Sequence, residues 1–267
     1  MTIIMINSMQ VAIIKRDIKS VSENKNLFLA LLIVPLMMTV VLPSIFVLIV
    51  GLTPIDSSEF QDLLSILPTS LFGDDLRSSL MRLIINNIIP CFYLLIPVMA
   101  SSVTAASAFI GEKEKKTLET LLYCPLSLRQ IFSAKVLSSF TLSQFVSVVS
   151  FVVMTIIVQV ELKLLTGEFF MLGINWLVMM ILVSPAFSLI AITLIVRVSA
   201  KAKTVEESQQ RSVFLILPII LLAVGQFSGL LFLNALVLLC VGVICAVIGI
   251  MLLRRSSGNF NYETLLQ

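Results

Sequence analysis

Residues 111–127 read GEKEKKTLETLLYCPLS, and this stretch decides how the rest of the chain is arranged. Glu112, Lys113, Glu114, Lys115 and Lys116 cannot enter hydrocarbon at tolerable cost, yet apolar runs long enough to cross a bilayer flank them on both sides. The chain therefore has to leave the membrane here and return to it. From Thr117 onward, Leu118, Leu121 and Leu122 fall at the i, i+3, i+4 spacing of one helical face. Glu112 and Glu114 suit the positive end of a helix dipole, and Pro125 ends the helix. Ser127, with Gln130 three residues on, forms a capping box that starts the next helix. The expectation is an amphipathic surface helix over 111–126, with Gly111 breaking the span before it.

The flanking runs set the fold class. The chain of 267 residues is 58% hydrophobic and 12% charged, with a mean hydropathy of +1.09, a composition of integral membrane proteins. A bilayer core of about 30 Å takes roughly 20 apolar residues per helical crossing. The stretches 27–55, 83–111, 136–160, 169–196 and 212–253 qualify, and the last is long enough for two passes, divided at Gly225-Gln226-Phe227-Ser228-Gly229. The runs are continuously apolar, whereas a transmembrane barrel needs alternation. The reading is an all-α integral membrane protein forming one domain over 1–267. Its six transmembrane helices fall at about 27–50, 82–110, 128–160, 170–196, 212–225 and 231–253.

Residues 1–25 read as an interfacial helix, with Val11, Ile14, Ile18 and Val21 on one stripe and Lys15, Arg16 and Lys19 between them. Asn24 or Asn26 can cap the first span, within which Pro35 and Pro43 are expected kinks. Loop charge sets the orientation. With the N-terminus inside, the cytoplasmic side holds most of the Lys and Arg, including Lys15, Arg16, Lys113, Lys135, Arg197, Arg254 and Arg255. The outside holds only Arg77, Arg82 and Lys163. Both termini are thus expected in the cytoplasm, the protein being multi-pass in a cell membrane, the cytoplasmic membrane of a bacterium. The net charge of +3 is then a matter of topology, with no nucleic-acid footprint in it.

Much chemistry is excluded. The chain has no histidine, which removes Ser-His catalysis, histidine zinc sites and the usual proton shuttle. No acidic residue falls inside an assigned span, so the buried carboxylates of ion-coupled transporters are missing. No GxxxxGK loop cradles a nucleotide phosphate. Cys91, Cys124, Cys240 and Cys245 lie in or beside apolar runs without metal or disulfide spacing. The chain reads as no enzyme, with no cofactor of its own. The polar residues inside the spans are Asn86, Asn87, the small-residue run 100–108, and a hydroxyl-rich face of span three on which Gln144 sits deepest and must find a partner.

The run Gly111-Glu112-Lys113-Glu114, Thr117-Leu118-Glu119, Leu121-Leu122, Pro125 and Ser127 resembles the signature of export permeases of the type-2 ATP-binding-cassette (ABC) family. The resemblance extends over essentially the whole chain. The loop Val205-Glu206-Glu207-Ser208-Gln209-Gln210 leading into Pro218 looks most like the branch containing sodium-extrusion and antibiotic-efflux permeases. It implies a permease subunit of an ATP-driven exporter, paired with a second permease chain, identical or homologous, in membrane lipid. Separate ABC ATPase subunits would carry the ATP and magnesium. The helix after span two is the coupling helix in that family, and the matching residues are Glu112, Glu114, Thr117, Leu118, Glu119, Leu121 and Leu122. The resemblance also implies a pathway along spans one, two and five, with Asn86, Asn87 and Gln226 as polar candidates, and Lys201, Lys203, Glu206 and Glu207 offer a second cytoplasmic contact. A membrane-embedded scaffold or immunity protein, binding a cytoplasmic partner without transport, would use the same surface helix.

Overall fold

The computed structural model describes residues 8–53, 80–82, 84–114, 125–167, 169, 172–199, 205, 207, 210, 217 and 235–258. Among these the structure is helical, with no strand. Helix α1 spans Ser8–Glu23 and α2 spans Lys25–Leu52. A π-helical turn at Ile84–Ile88 leads into the short α3, Ile89–Tyr93, and then α4, Leu95–Glu114. Helix α5 runs over Leu128–Thr166. A second broken helix comprises α6 (Ile174–Val178), a π segment at Met179–Val183 and α7 (Ser184–Ser199), and α8 is Ala235–Gly258. Five helices among the described residues are long and apolar enough to cross a membrane: Leu27–Leu52, Leu95–Glu112, Leu128–Thr166, Ile174–Arg197 and Ala235–Ser256. The expected span at 212–225 lies outside the described residues, apart from Leu217.

Several elements start where local chemistry dictates. Asn24 caps α2, its side chain accepting from the N–H of Leu27 at 3.3 Å. Ser127 and Gln130 form the reciprocal capping box of α5. Pro35 and Pro43 lie within α2, where each removes one helical donor. The aromatic centre joins α3, α5 and α6. Tyr93, Phe151 and Trp176 meet with ring centroids 5.3–5.8 Å apart, and the Tyr93 hydroxyl donates to the carbonyl of Ser147 at 3.2 Å. Gln144 finds its partner across the bundle: its Nε2 donates to Ser188 Oγ at 2.8 Å, and Ser184 Oγ donates back to its Oε1 at 3.4 Å.

Three local readings need correction. Gly111 does not break its span; α4 continues through it to Glu114, since one glycine costs only about 1 kcal/mol in a helix and its neighbours favour one. The third span, expected to end near residue 160, continues as the last turns of α5 to Thr166, where Gly167 adopts the left-handed conformation, φ 76°. At 1.5 Å per residue this 39-residue helix is about 58 Å long, far more than a bilayer core, so at least one end projects from the hydrocarbon. Finally, α1 faces the bundle with Gln10, Ile13, Asp17 and Val21, while Val11 is exposed and Ile14 and Ile18 are half-buried. Polar partners on α5 rotate it: Gln10 Nε2 donates to the Gln130 carbonyl and to Ser133 Oγ, both at 3.2 Å.

Candidate functional site

The rotation of α1 brings Asp17 against the two helix ends that flank residues 115–124. Glu112 lies in the last turn of α4 and Lys135 in the third turn of α5. The Lys135 ammonium, 3% exposed, donates to the Ala108 carbonyl at 2.5 Å. It lies 2.9 Å from Glu112 Oε2 and 3.7 Å from Asp17 Oδ2. Arg16 Nη2 closes the cluster, donating to Asp17 Oδ1 at 3.1 Å and to Glu112 Oε1, and Ser138 Oγ donates to Asp17 Oδ2 at 3.4 Å. The ring of Phe109 lies beneath, its centroid 5.8 Å from Lys135 Nζ.

Two cations and two carboxylates cancel formally, which is the condition for burying such a group. An ion taken from water costs several kcal/mol unless partners surround it. Partial burial works against the Arg16 charge, but the carboxylates of Glu112 and Asp17 outweigh it and hold its pKa above the ordinary value. The cluster therefore clamps α1, the end of α4 and the start of α5 together. The segment between Glu114 and Pro125 is tethered at both ends to this one clamp.

Of the coupling residues read from the sequence, Glu112 is inside the clamp and Glu114 is the last residue of α4. Thr117, Leu118, Glu119, Leu121 and Leu122 lie outside the described residues, as do Gln226, Lys201, Lys203 and Glu206. Glu207 is helical and half-buried. Asn86 and Asn87 are far along α3–α4 from the clamp and pair inside the chain. Asn86 Oδ1 accepts from the N–H of Gly173 at 2.6 Å, and Asn175 Nδ2 donates to the Asn86 carbonyl at 3.1 Å and to Asn87 Oδ1 at 3.4 Å. Trp176 Nε1 donates to the Ile85 carbonyl at 3.0 Å. The wide π turn leaves these carbonyls out of the ordinary helical ladder, and the Gly173–Trp176 corner satisfies them. Arg16, Asp17 and Lys135 were not singled out as site residues by the sequence reading. The one available signal was an acid, Asp17, set among bases on an interfacial helix.

An all-α, multi-pass membrane protein with a charged segment tethered between two spans is the class that this fold and site define. The family model for the ABC-2 type transporter matches residues 10–227, from α1 through the clamp and the 111–127 segment. The chain belongs to that family and is a transmembrane permease component of an ABC-2 type transporter. No curated protein and no solved structure matches it significantly.

Proposed function

We propose that this chain is the non-catalytic permease subunit of an ATP-driven exporter. Two such chains, identical or homologous, enclose a pathway out of the cytoplasm, and separate ATPase subunits bind the 111–127 segment from the cytoplasmic side. ATP and magnesium belong to those partners. The termini and the clamp then face the cytoplasm, as the loop charges favour.

The observation that supports this most is the clamp itself. Glu112 precedes residues 115–124 and Lys135 follows them, and both are ion-paired to the α1 cluster. A push on the segment is thereby shared by α1, α4 and α5 rather than absorbed by a slack loop. Because α1 joins α2 through Asn24 alone, the push also reaches the first span. The Val205–Gln210 pattern favours the branch with sodium-extrusion and antibiotic-efflux permeases.

Co-purification tests the reading. An ATPase recovered in equal stoichiometry supports transport, and its absence favours a scaffold. In the reconstituted complex, Glu114→Lys, or Leu118→Asp with Leu122→Asp, abolishes substrate-stimulated ATP hydrolysis while membrane insertion is retained. Normal stimulation in these variants defeats the assignment.

A further inference from the structure

Helix α1 does not lie flush on α4 and α5. Between them opens a cleft of about 220 Å³, lined by Arg16, Ser20, Ser107, Gly111, Ser139 and Leu142 among others. This is below the roughly 300–1,000 Å³ of sites for drug-sized ligands and suits a headgroup fragment. We propose that the cleft holds the phosphodiester of a membrane phospholipid, with the guanidinium of Arg16 as its anion-binding group.

Three observations converge on that chemistry. Arg16 is 52% exposed and, among the described residues, makes its contacts to Asp17 and Glu112 through Nη2, which leaves the N–H groups of Nε and Nη1 as separate charge-assisted donors to a ligand oxygen. Ser139 also lines the cleft; its hydroxyl is buried and has no hydrogen-bond partner among the described residues, so a ligand oxygen reaching it satisfies an otherwise orphaned group. The depth is also right. Arg16 lies about two helical turns before the start of α2, on an amphipathic helix whose exposed Val11 turns away from the bundle, so the cleft opens at headgroup level. Val21 and Leu142 supply an apolar wall for the start of the acyl region. The carboxylates of Asp17 and Glu112, which also line the cleft, repel a free phosphate dianion more than a singly charged diester.

Gly111 supplies a clean variant. A Cβ added there meets nothing closer than Ser107 Oγ at 3.9 Å, so a larger side chain grows into the cleft without displacing backbone. The intact chain, purified and delipidated in detergent, is titrated with phosphatidylglycerol, with diacylglycerol of the same acyl chains, and with inorganic phosphate. Adducts are counted by native mass spectrometry, with the melting temperature of each variant measured alongside. The expected result is a saturable one-to-one phosphatidylglycerol adduct, weakened on the order of tenfold in Arg16→Gln and in Gly111→Met, the loss of about one charge-assisted hydrogen bond. Lys19→Gln, which removes the same charge from an exposed position on the same helix, leaves the adduct unchanged, and diacylglycerol gives none. Equal retention in wild type, Arg16→Gln and Gly111→Met overturns the proposal, as does a loss in Lys19→Gln as large as that in Arg16→Gln, the mark of general surface attraction. An adduct with inorganic phosphate and none with the lipid also overturns it, by showing that the anion is free phosphate.

Discussion

Lys135 Nζ lies 2.9 Å from Glu112 Oε2 across the two helices that bracket residues 115–124. The same ammonium holds the Ala108 carbonyl, so this one side chain fixes the last two turns of α4, one through its backbone and one through its charge. Removing it leaves two buried carboxylates facing a single guanidinium. Lys135→Met is therefore expected to destabilise the protein by about 3–5 kcal/mol, the usual cost of orphaning a buried ion partner. Asp17→Asn together with Lys135→Met removes one charge of each sign and is expected to be milder than the sum of the two single changes. Chemical denaturation in detergent measures both. Additive losses would show that the two residues do not share a network.

The clamp has unequal arms, and that separates stability from coupling. Arg16 is half-exposed, so water replaces part of what its removal takes away, whereas its carboxylate partners are largely buried and would then face Lys135 alone. Arg16→Ala should lower the melting temperature, but less than Lys135→Met does. If α1 transmits motion from the 111–127 segment, the same variant lowers substrate-stimulated ATP hydrolysis in the assembled complex while basal hydrolysis persists. Full stimulation in Arg16→Ala would remove α1 from the coupling route.

What the sequence disclosed and what it concealed divide along a physical line. Asn24, the Ser127–Gln130 capping box and the need of Gln144 for a partner were legible because each is a local rule acting within one helix or at one depth. The clamp was not legible, because Arg16 and Glu112 are 96 positions apart and Lys135 reads as an ordinary basic residue near a span end. Basic side chains there usually reach for water; only the packing of α1 shows that this one points inward. The rotation of α1 was hidden for the same reason. Its apolar stripe suits lipid and protein equally, and what decides is a set of polar partners on α5. Asn86 and Asn87 drew attention as polar groups in an apolar run, but the π turn that engages them leaves no mark on hydrophobic periodicity.

That π turn yields a second test. Gly173 has an ordinary extended backbone, φ −68° and ψ 165°, so alanine there carries no conformational strain. A Cβ would nevertheless lie 2.9 Å from Asn86 Oδ1 and 3.2 Å from its Cγ, displacing the side chain that accepts from the Gly173 N–H. Gly173→Ala is expected to cost about 1–3 kcal/mol, the loss of a partly buried hydrogen bond. Asn86→Ala should cost a similar amount, and the double variant little more than either. A double-mutant cycle in thermal unfolding reads this directly, and independence of the two changes would refute the pairing.

The packing of α8 on the broken helix α6–α7 rests on two glycines seven residues apart. Gly242 and Gly249 are buried, whereas Leu239, Val243, Ile244, Val247 and Ile250 around them are exposed. In lipid, apolar surface alone does not drive helices together, so close approach and the contacts it permits must do so. A Cβ at Gly242 would meet both Cδ2 and Cγ of Leu182 at 2.8 Å and Cγ2 of Val183 at 3.2 Å; at Gly249 the nearest atom is Leu189 Cβ at 3.3 Å. The branch point Cγ cannot swing away as a chain end can, so the helices must part. Gly242→Ala is expected to cost about 1–3 kcal/mol by overpacking, and Gly249→Ala less. Leu182→Ala, which clears the space, should recover most of the loss in Gly242→Ala. Thermal unfolding of the single and double variants in detergent distinguishes this from a generic loss of helix stability, for which Leu182→Ala would only add a further defect.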